Sequence, residues 1–349
     1  MVRASIRALA LAFLLSSLGL AATADAAHAG RGAAPVRVGI VLFDGVQIID
    51  FAAPYEVFGQ AGFSVATVSP DGRAVSTAME LSVSPDHGFA DAPAFDVLLV
   101  PGGDVHAAAA DEAILAFVRA RSAGAKHVLS VCTGSHILAA AGMLDGLTAT
   151  TFYPAVGQLA ADYPKIRVVS DQRWVDSGRI VTSAGLSSGI DAALHVVARL
   201  RGEDAARTTA LHLEYDWRPD DGFVRGRMAD RYLPGLRDVA WPSDIAFERL
   251  VAVGDEDRWR MRYRVASQTP REKLLSRIAH SIDGDGDGWR RDPDEDGYRW
   301  QRNVDGRRLV LTVATWPGER DGMFELESRL VIAQGFAQEG QPDKPGARR

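Results

Sequence analysis

Cysteine is almost missing from this chain: Cys132 stands alone among 349 residues. One cysteine excludes an internal disulfide, and with it any fold that depends on such staples. Its position deep in the chain also excludes a lipid-anchored N-terminal cysteine. An excess of basic residues is missing too. Net charge is −6, with acids and bases dispersed along the chain, so there is no basic stripe of the kind that marks nucleic-acid binding. Beyond the first thirty residues no apolar run reaches the about 20 residues that span a bilayer.

Such a run is approached only at the start. Arg3 and Arg7 precede an apolar stretch from Ala8 to Ala22, and the small residues of "TADAAHAG" follow. A charged region, an apolar region and an A-x-A-like cleavage region predict a signal peptide over 1–30. A periplasmic or secreted protein without a membrane anchor is expected. The remainder is long enough for two domains.

From Pro35 to Asp216 strand and helix patterns alternate. Val36–Leu42, Phe63–Ser69, Asp96–Val100 and Val128–Val131 are short apolar runs of strands buried on both faces. Helical spacing appears in "IIDFAAPYEVFGQAG" and over Ala113–Val118, Thr133–Ala141, Ile190–Leu200 and Ala205–Tyr215. Ile166–Val169 predicts a further strand, and "RWVDSGRIVTSAG" a hairpin turning at Asp176–Gly178. Alternation of this kind implies an α/β fold with a mostly parallel sheet covered on both faces.

The texture changes at residue 217. Trp217–Val239 is charged and turn-rich and predicts a linker or strap. Ala240–Gly335 carries the pattern of a smaller α+β domain. In "RWRMRYRVA", Trp259, Met261, Tyr263 and Val265 share one strand face, and Arg258, Arg260, Arg262 and Arg264 share the other. Thr269-Pro270-Arg271-Glu272 is a capping box with proline at the first helical position. Tyr298–Asn303, Arg307–Trp316 and Phe324–Ala333 read as strands, the first two joined at Asp305-Gly306. Residues 336–349 are expected to be a disordered tail.

Cys132 lies between a strand and a helix, in "SVCTGSHILAAAG". That is the setting of a nucleophile elbow, at the carboxyl end of a parallel strand where open α/β sheets bind ligands. The helix start directs N–H groups at the sulfur, which predicts an accessible thiol of lowered pKa.

Four blocks give this region a resemblance. "VRVGIVLFDGVQIIDFAAPYEVFG", "FDVLLVPGG", "SVCTGSHILAAAGMLDGLTATTFYPA" and "RWVDSGRIVTSAGLSSGIDAALHVVARLRGEDAARTTALHLEY" follow one another as in the DJ-1/PfpI superfamily. The resemblance covers about Pro35 to Tyr215 and implies the flavodoxin-like sandwich of the class I glutamine amidotransferase-like fold. Within the superfamily the chain resembles the isonitrile hydratases and the ligand-sensing halves of AraC-type regulators. By that resemblance Cys132 is the nucleophile, Thr133 positions substrate or water, and Asp50 is the acidic partner of the thiol. An ionised Asp50 disfavours a thiolate and a protonated Asp50 favours it, so the two are expected to share a proton as a coupled pair. Backbone N–H groups at Gly102, Gly103 and Thr133 are candidates for an oxyanion pocket. His106 either lines that pocket or lies on loop surface.

Departures from the family pattern narrow the chemistry. Thr133 stands where family peptidases carry His, and Phe152 where other members carry His about twenty residues on. No base remains for a Cys-His pair, so amide hydrolysis is not expected. His136 reads as a packed helix residue, His87 as loop surface or pocket lining like His106, Glu56 as a local partner and Asp191 as support for a helix start. The resemblance implies a small-molecule substrate or ligand, no cofactor and no nucleic acid, and it leaves a homodimer open. No helix-turn-helix is evident beyond Tyr215, which disfavours a DNA-binding regulator. Three readings stay open: a thiol-dependent hydratase or hydrolase of a small electrophile, a sensor without turnover, and a redox or carbonyl-stress protein.

One motif stands outside the resemblance. In "DGDGDGWRRDPDE", Asp283, Asp285, Asp287 and Asp294 approach a calcium loop with Gly288 at its sixth position. A turn between helix and strand is the plainer reading.

Overall fold

The computed structural model describes residues 35–236, 239–284, 286–292 and 298–333. The expected signal peptide, the tail, Asp285 and Asp294 lie outside the described residues. The chain forms two compact units. One runs to Val168 and resumes over Trp174–Pro219; the other takes Val169–Arg173 and everything from Asp220.

The first unit is built on a seven-stranded sheet in the order Trp174–Ser177, Ile180–Ser183, His127–Val131, Val97–Val100, Arg37–Val41, Ser64–Ser69, His87–Gly88. Every neighbouring pair is parallel except the hairpin of Trp174–Ser177 with Ile180–Ser183. Val97–Val100 and His127–Val131 are buried at every position. Continuous apolar runs suit such strands because helices cover both faces. The expected helices form over Ile48–Gln60, Glu112–Gly124, Gly134–Ala140, Ser188–Arg201 and Glu203–His212. Asp111 caps the second of these, its side chain accepting from the Ala113 N–H at 2.8 Å. The flavodoxin-like α/β class read from the sequence is the fold observed.

The strand expected over Ile166–Val169 shrinks to Arg167–Val168. It pairs with Thr148–Ala149 in a separate two-stranded ladder and not with the main sheet.

The second unit is a six-stranded sheet in the order Ala246–Gly254, Arg258–Ala266, Met323–Ala333, Arg307–Pro317, Arg299–Val304, Arg290–Arg291. All neighbours are antiparallel. The helix Arg271–Gly284 buries Leu274, Leu275, Ile278 and Ile282, which share a core with Trp300, Leu309, Leu311 and Leu330. Asp305 and Gly306 both adopt positive φ, 50° and 74°, as a two-residue hairpin turn requires. The edge strand Ala246–Gly254 carries no clear alternation because it is largely exposed and has a register shift between Arg249 and Val251. Trp217 is buried in the first core, and Ala229 and Val239 are buried in the second.

Candidate active site

Cys132 follows the strand His127–Val131 directly and has φ 58°, the left-handed region that side chains other than glycine seldom occupy. Holding a residue there costs about 1–3 kcal/mol, so the surroundings must enforce it. They do so on both sides of the peptide unit. The Cys132 N–H donates to the carbonyls of Ser183 and Ala184 at 3.2 and 3.3 Å. The Cys132 carbonyl accepts from the hydroxyls of Thr151 at 3.0 Å and Ser135 at 3.2 Å.

Close backbone approach explains the small residues nearby. A Cβ on Gly134 would collide with the Val100 carbonyl oxygen, so only glycine lets the elbow helix start against the neighbouring strand. A Cβ on Gly102 would lie 2.6 Å from the Thr133 nitrogen and 2.9 Å from Asp50 Oδ2. The bare "PGG" turn thus leaves room for the acid and the elbow to meet.

Asp50 sits in the first turn of Ile48–Gln60 and is completely buried. Its Oδ2 accepts the Gly102 N–H at 3.2 Å and its Oδ1 the Leu186 N–H at 3.2 Å. It is also hydrogen-bonded to the Cys132 thiol. Burial pushes the Asp50 carboxyl up to about 6, against the pull of these three hydrogen bonds. Cys132 is 5% exposed. Burial, and next the negative charge on Asp50, push its thiol up to about 12, although the Thr133 N–H and hydroxyl draw it down. At neutral pH the pair therefore holds one proton, carried by sulfur and donated to the carboxylate.

Two expectations are corrected here. The thiol is neither accessible nor of lowered pKa at rest, because desolvation and the adjacent carboxylate outweigh a two-turn helix and the Thr133 donors. The two glycine N–H groups form no oxyanion pocket. Gly102 donates to Asp50, and Gly103 donates to Thr133 Oγ1 at 3.0 Å, as buried donors must find acceptors. The Thr133 N–H is the donor that faces the sulfur. The Thr133 hydroxyl has a single proton, offered to the Gly103 carbonyl at 2.9 Å and also within reach of the thiol.

The remaining candidates scatter. His106 is an exposed loop residue whose backbone N–H donates to Asp104, so it does not join the buried group. His136 packs edge-on to Tyr163 at 6.4 Å. Glu56 is exposed and accepts from Gln60 at 3.0 Å. His87 lies 3.6 Å from Asp91. Asp191 is buried and accepts the Tyr215 hydroxyl at 2.9 Å. In the acidic loop, Asp283 is engaged by Arg291 at 2.6 Å and by the Trp300 indole at 2.8 Å, while Asp287 faces Arg302 at 3.6 Å. Among the described residues no cluster of three or more His, Cys, Asp or Glu is arranged to hold a metal.

Thr151, Gly185 and Leu186 escaped the sequence reading. Leu186 has φ 58°, which turns its N–H onto Asp50. A Cβ on Gly185 would lie 2.5 Å from Phe152 Cδ2 and 3.2 Å from the Cys132 sulfur. The Phe152 ring therefore forms an apolar wall beside the thiol, where a basic side chain would have supplied a proton acceptor.

Residues 36–199 match the DJ-1/PfpI family. An isonitrile hydratase of Pseudomonas putida is 38% identical over 185 residues, covering 52% of this chain and 78% of that protein. The HTH-type transcriptional regulator GbdR of Pseudomonas aeruginosa is 28% identical over 189 residues, and there the chain spans 51% of the relative's length. A solved THiJ/PfpI family protein from Pseudomonas syringae is 33% identical, with a TM-score of 0.49, covering 54% of this chain and 78% of that chain. The match over residues 36–199, together with a relative 38% identical of which the chain covers 78%, establishes that this chain belongs to the DJ-1/PfpI family.

Proposed function

We propose that the first unit is a thiol-dependent hydratase of a small, neutral electrophile, with an isonitrile as the preferred substrate. The observation that carries this reading is the hydrogen bond between the Cys132 thiol and the buried Asp50 carboxyl, beside an apolar wall. Moving the thiol proton from sulfur to Asp50 creates the nucleophile without any other base. The sulfur then bonds to the terminal isonitrile carbon, and Asp50 returns the proton to that carbon, giving a thioimidate. Water adds across the C=N bond, its hydroxyl to carbon and its proton to nitrogen. Cleavage of the C–S bond with return of the hydroxyl proton to sulfur releases an N-substituted formamide and restores the thiol. The Thr133 hydroxyl steadies the transient thiolate by turning its proton from the Gly103 carbonyl to sulfur. An apolar wall suits a neutral substrate.

Burial of the thiol favours a second reading, a ligand sensor that uses the same pocket without turnover. Export to the periplasm or beyond is part of both proposals and rests on the charged and apolar segments before residue 30. Incubation with cyclohexyl isocyanide, with formamide followed by mass spectrometry, separates the two. Formamide that disappears in Cys132→Ser supports the hydratase. Saturable binding with no formamide leaves the sensor.

A further inference from the structure

The second unit packs its helix on one face of the six-stranded sheet and leaves the other face open, and that open face is rich in arginine. The register puts Arg260 opposite Arg329, Arg262 opposite Glu327 and Arg264 opposite Glu325. On the next strand Glu327 faces Ala314 and Glu325 faces Trp316, and Arg308 lies in the same row. Side chains paired across a ladder share a face, so these groups stand together on the side away from the core.

Their charges do not cancel. At the margins Arg258 is matched by Asp255 at 3.0 Å and Arg264 by Glu248 at 2.6 Å. In the centre three guanidinium groups converge on one buried carboxylate. Glu327 lies 2.8 Å from Arg262, 2.8 Å from Arg329 and 3.9 Å from Arg260. Glu325, 3.4 Å from Arg262, is the other acid there. Among the described residues Arg260 Nε is buried without a hydrogen-bond acceptor, and Arg308 is hydrogen-bonded to the neutral Gln301. A chain of net charge −6 thus gathers surplus positive charge on one open sheet face. Glu327 fixes the orientation of the surrounding guanidiniums in advance, which lowers the ordering cost of binding an anion. Trp316 is 43% exposed on the same face, with Arg262 5.6 Å from its ring centre.

We infer that this face binds an anionic polysaccharide, with the central arginines taking carboxylate groups and Trp316 stacking on a sugar ring. A flat arginine field offers paired donors to carboxylates, and an exposed indole offers an apolar plane to the C–H face of a pyranose. A single exposed aromatic on the face, on an acidic chain, favours a sugar polymer over single-stranded nucleic acid, which wants a series of stacking rings.

Titration of the full chain with polygalacturonate at low salt, read by calorimetry, tests this. Saturable binding that weakens as salt rises is expected. Arg260→Gln removes the guanidinium that lies farthest from Glu327 of the three, at 3.9 Å, and it should weaken binding about tenfold, the loss of one charge-assisted hydrogen bond. Arg308→Gln should weaken it in the same direction, while Arg119→Gln in the first unit should not. No binding of polygalacturonate overturns the inference, as does equal binding by the Arg260→Gln and Arg308→Gln proteins. Equal or tighter binding of single-stranded DNA, or of neutral dextran, overturns the assignment to an acidic glycan.

Discussion

At the scale of single residues the site turns on where one proton sits. Because the Asp50 charge helps hold the Cys132 thiol up at about 12, its removal should lower that value. Iodoacetamide should leave the folded protein nearly unmodified at pH 8, and Asp50→Asn should shift the alkylation midpoint downward. Glu56→Gln, at an exposed position, should leave it in place. An upward shift in Asp50→Asn would contradict the proposed coupling. The same carboxyl also affects stability. Its folded pKa of about 6 lies above the ordinary 3.8, so the folded state binds the proton more tightly than the unfolded one. Stability is then highest below about pH 4 as far as this group is concerned, and falls as pH rises through 6, by on the order of 3 kcal/mol. Urea titrations of wild type and Asp50→Asn between pH 4 and 7 should show that slope only in the wild type. Parallel curves would mean that Asp50 is ionised at no cost.

At the scale of elements, the elbow depends on backbone approach and on a few hydroxyls. Thr151→Val removes the Thr151 hydroxyl that holds the carbonyl of a residue with positive φ. A loss of about 1–3 kcal/mol is expected, with Thr151→Ser close to wild type. Equal melting temperatures for the valine and serine variants would refute that role. Gly134→Ala should be more severe, because the added methyl meets the Val100 carbonyl and not the movable end of a side chain. Its measure is loss of both the folded thiol environment and soluble yield. Strands and helices were largely legible because apolar runs such as "VLLV" suit a sheet buried on both faces, and "TPRE" marks a helix start. Ala246–Gly254 was missed because an exposed edge strand has no core to impose alternation on it. Cys132 was legible from the strand–helix junction around it, and Asp50 only through its block. The Leu186 N–H and the Thr151 hydroxyl were not, because each acts through a long-range hydrogen bond that leaves no local pattern.

At the scale of the whole molecule, two hydrophobic cores share no residue among those described. Each is large enough to sustain its own cooperative transition. Differential scanning calorimetry of the full chain should resolve two transitions, and cyclohexyl isocyanide should shift only that of the first unit. A single transition that shifts as a whole would mean that the cores melt as one. The segment Trp217–Val239 contributes to both cores, so a cut at residue 219 should preserve each better than a cut at 239.

The amino-acid sequence by itself determined the α/β class, the elbow and the point where a second pattern begins. Each of these is written in local spacing, where periodicity, glycine and capping residues act over a few positions. Tertiary structure alone decided the protonation of the site. Burial and charge depend on what the fold brings near, and the same Asp50 and Cys132 in a solvated cleft would have had ordinary pKa values. It also decided which N–H groups remain for chemistry, since Gly102 and Gly103 are occupied by neighbours 52 and 30 residues away in the chain. The gathering of arginines around Glu327 is likewise a matter of strand register, which no single stretch of sequence contains.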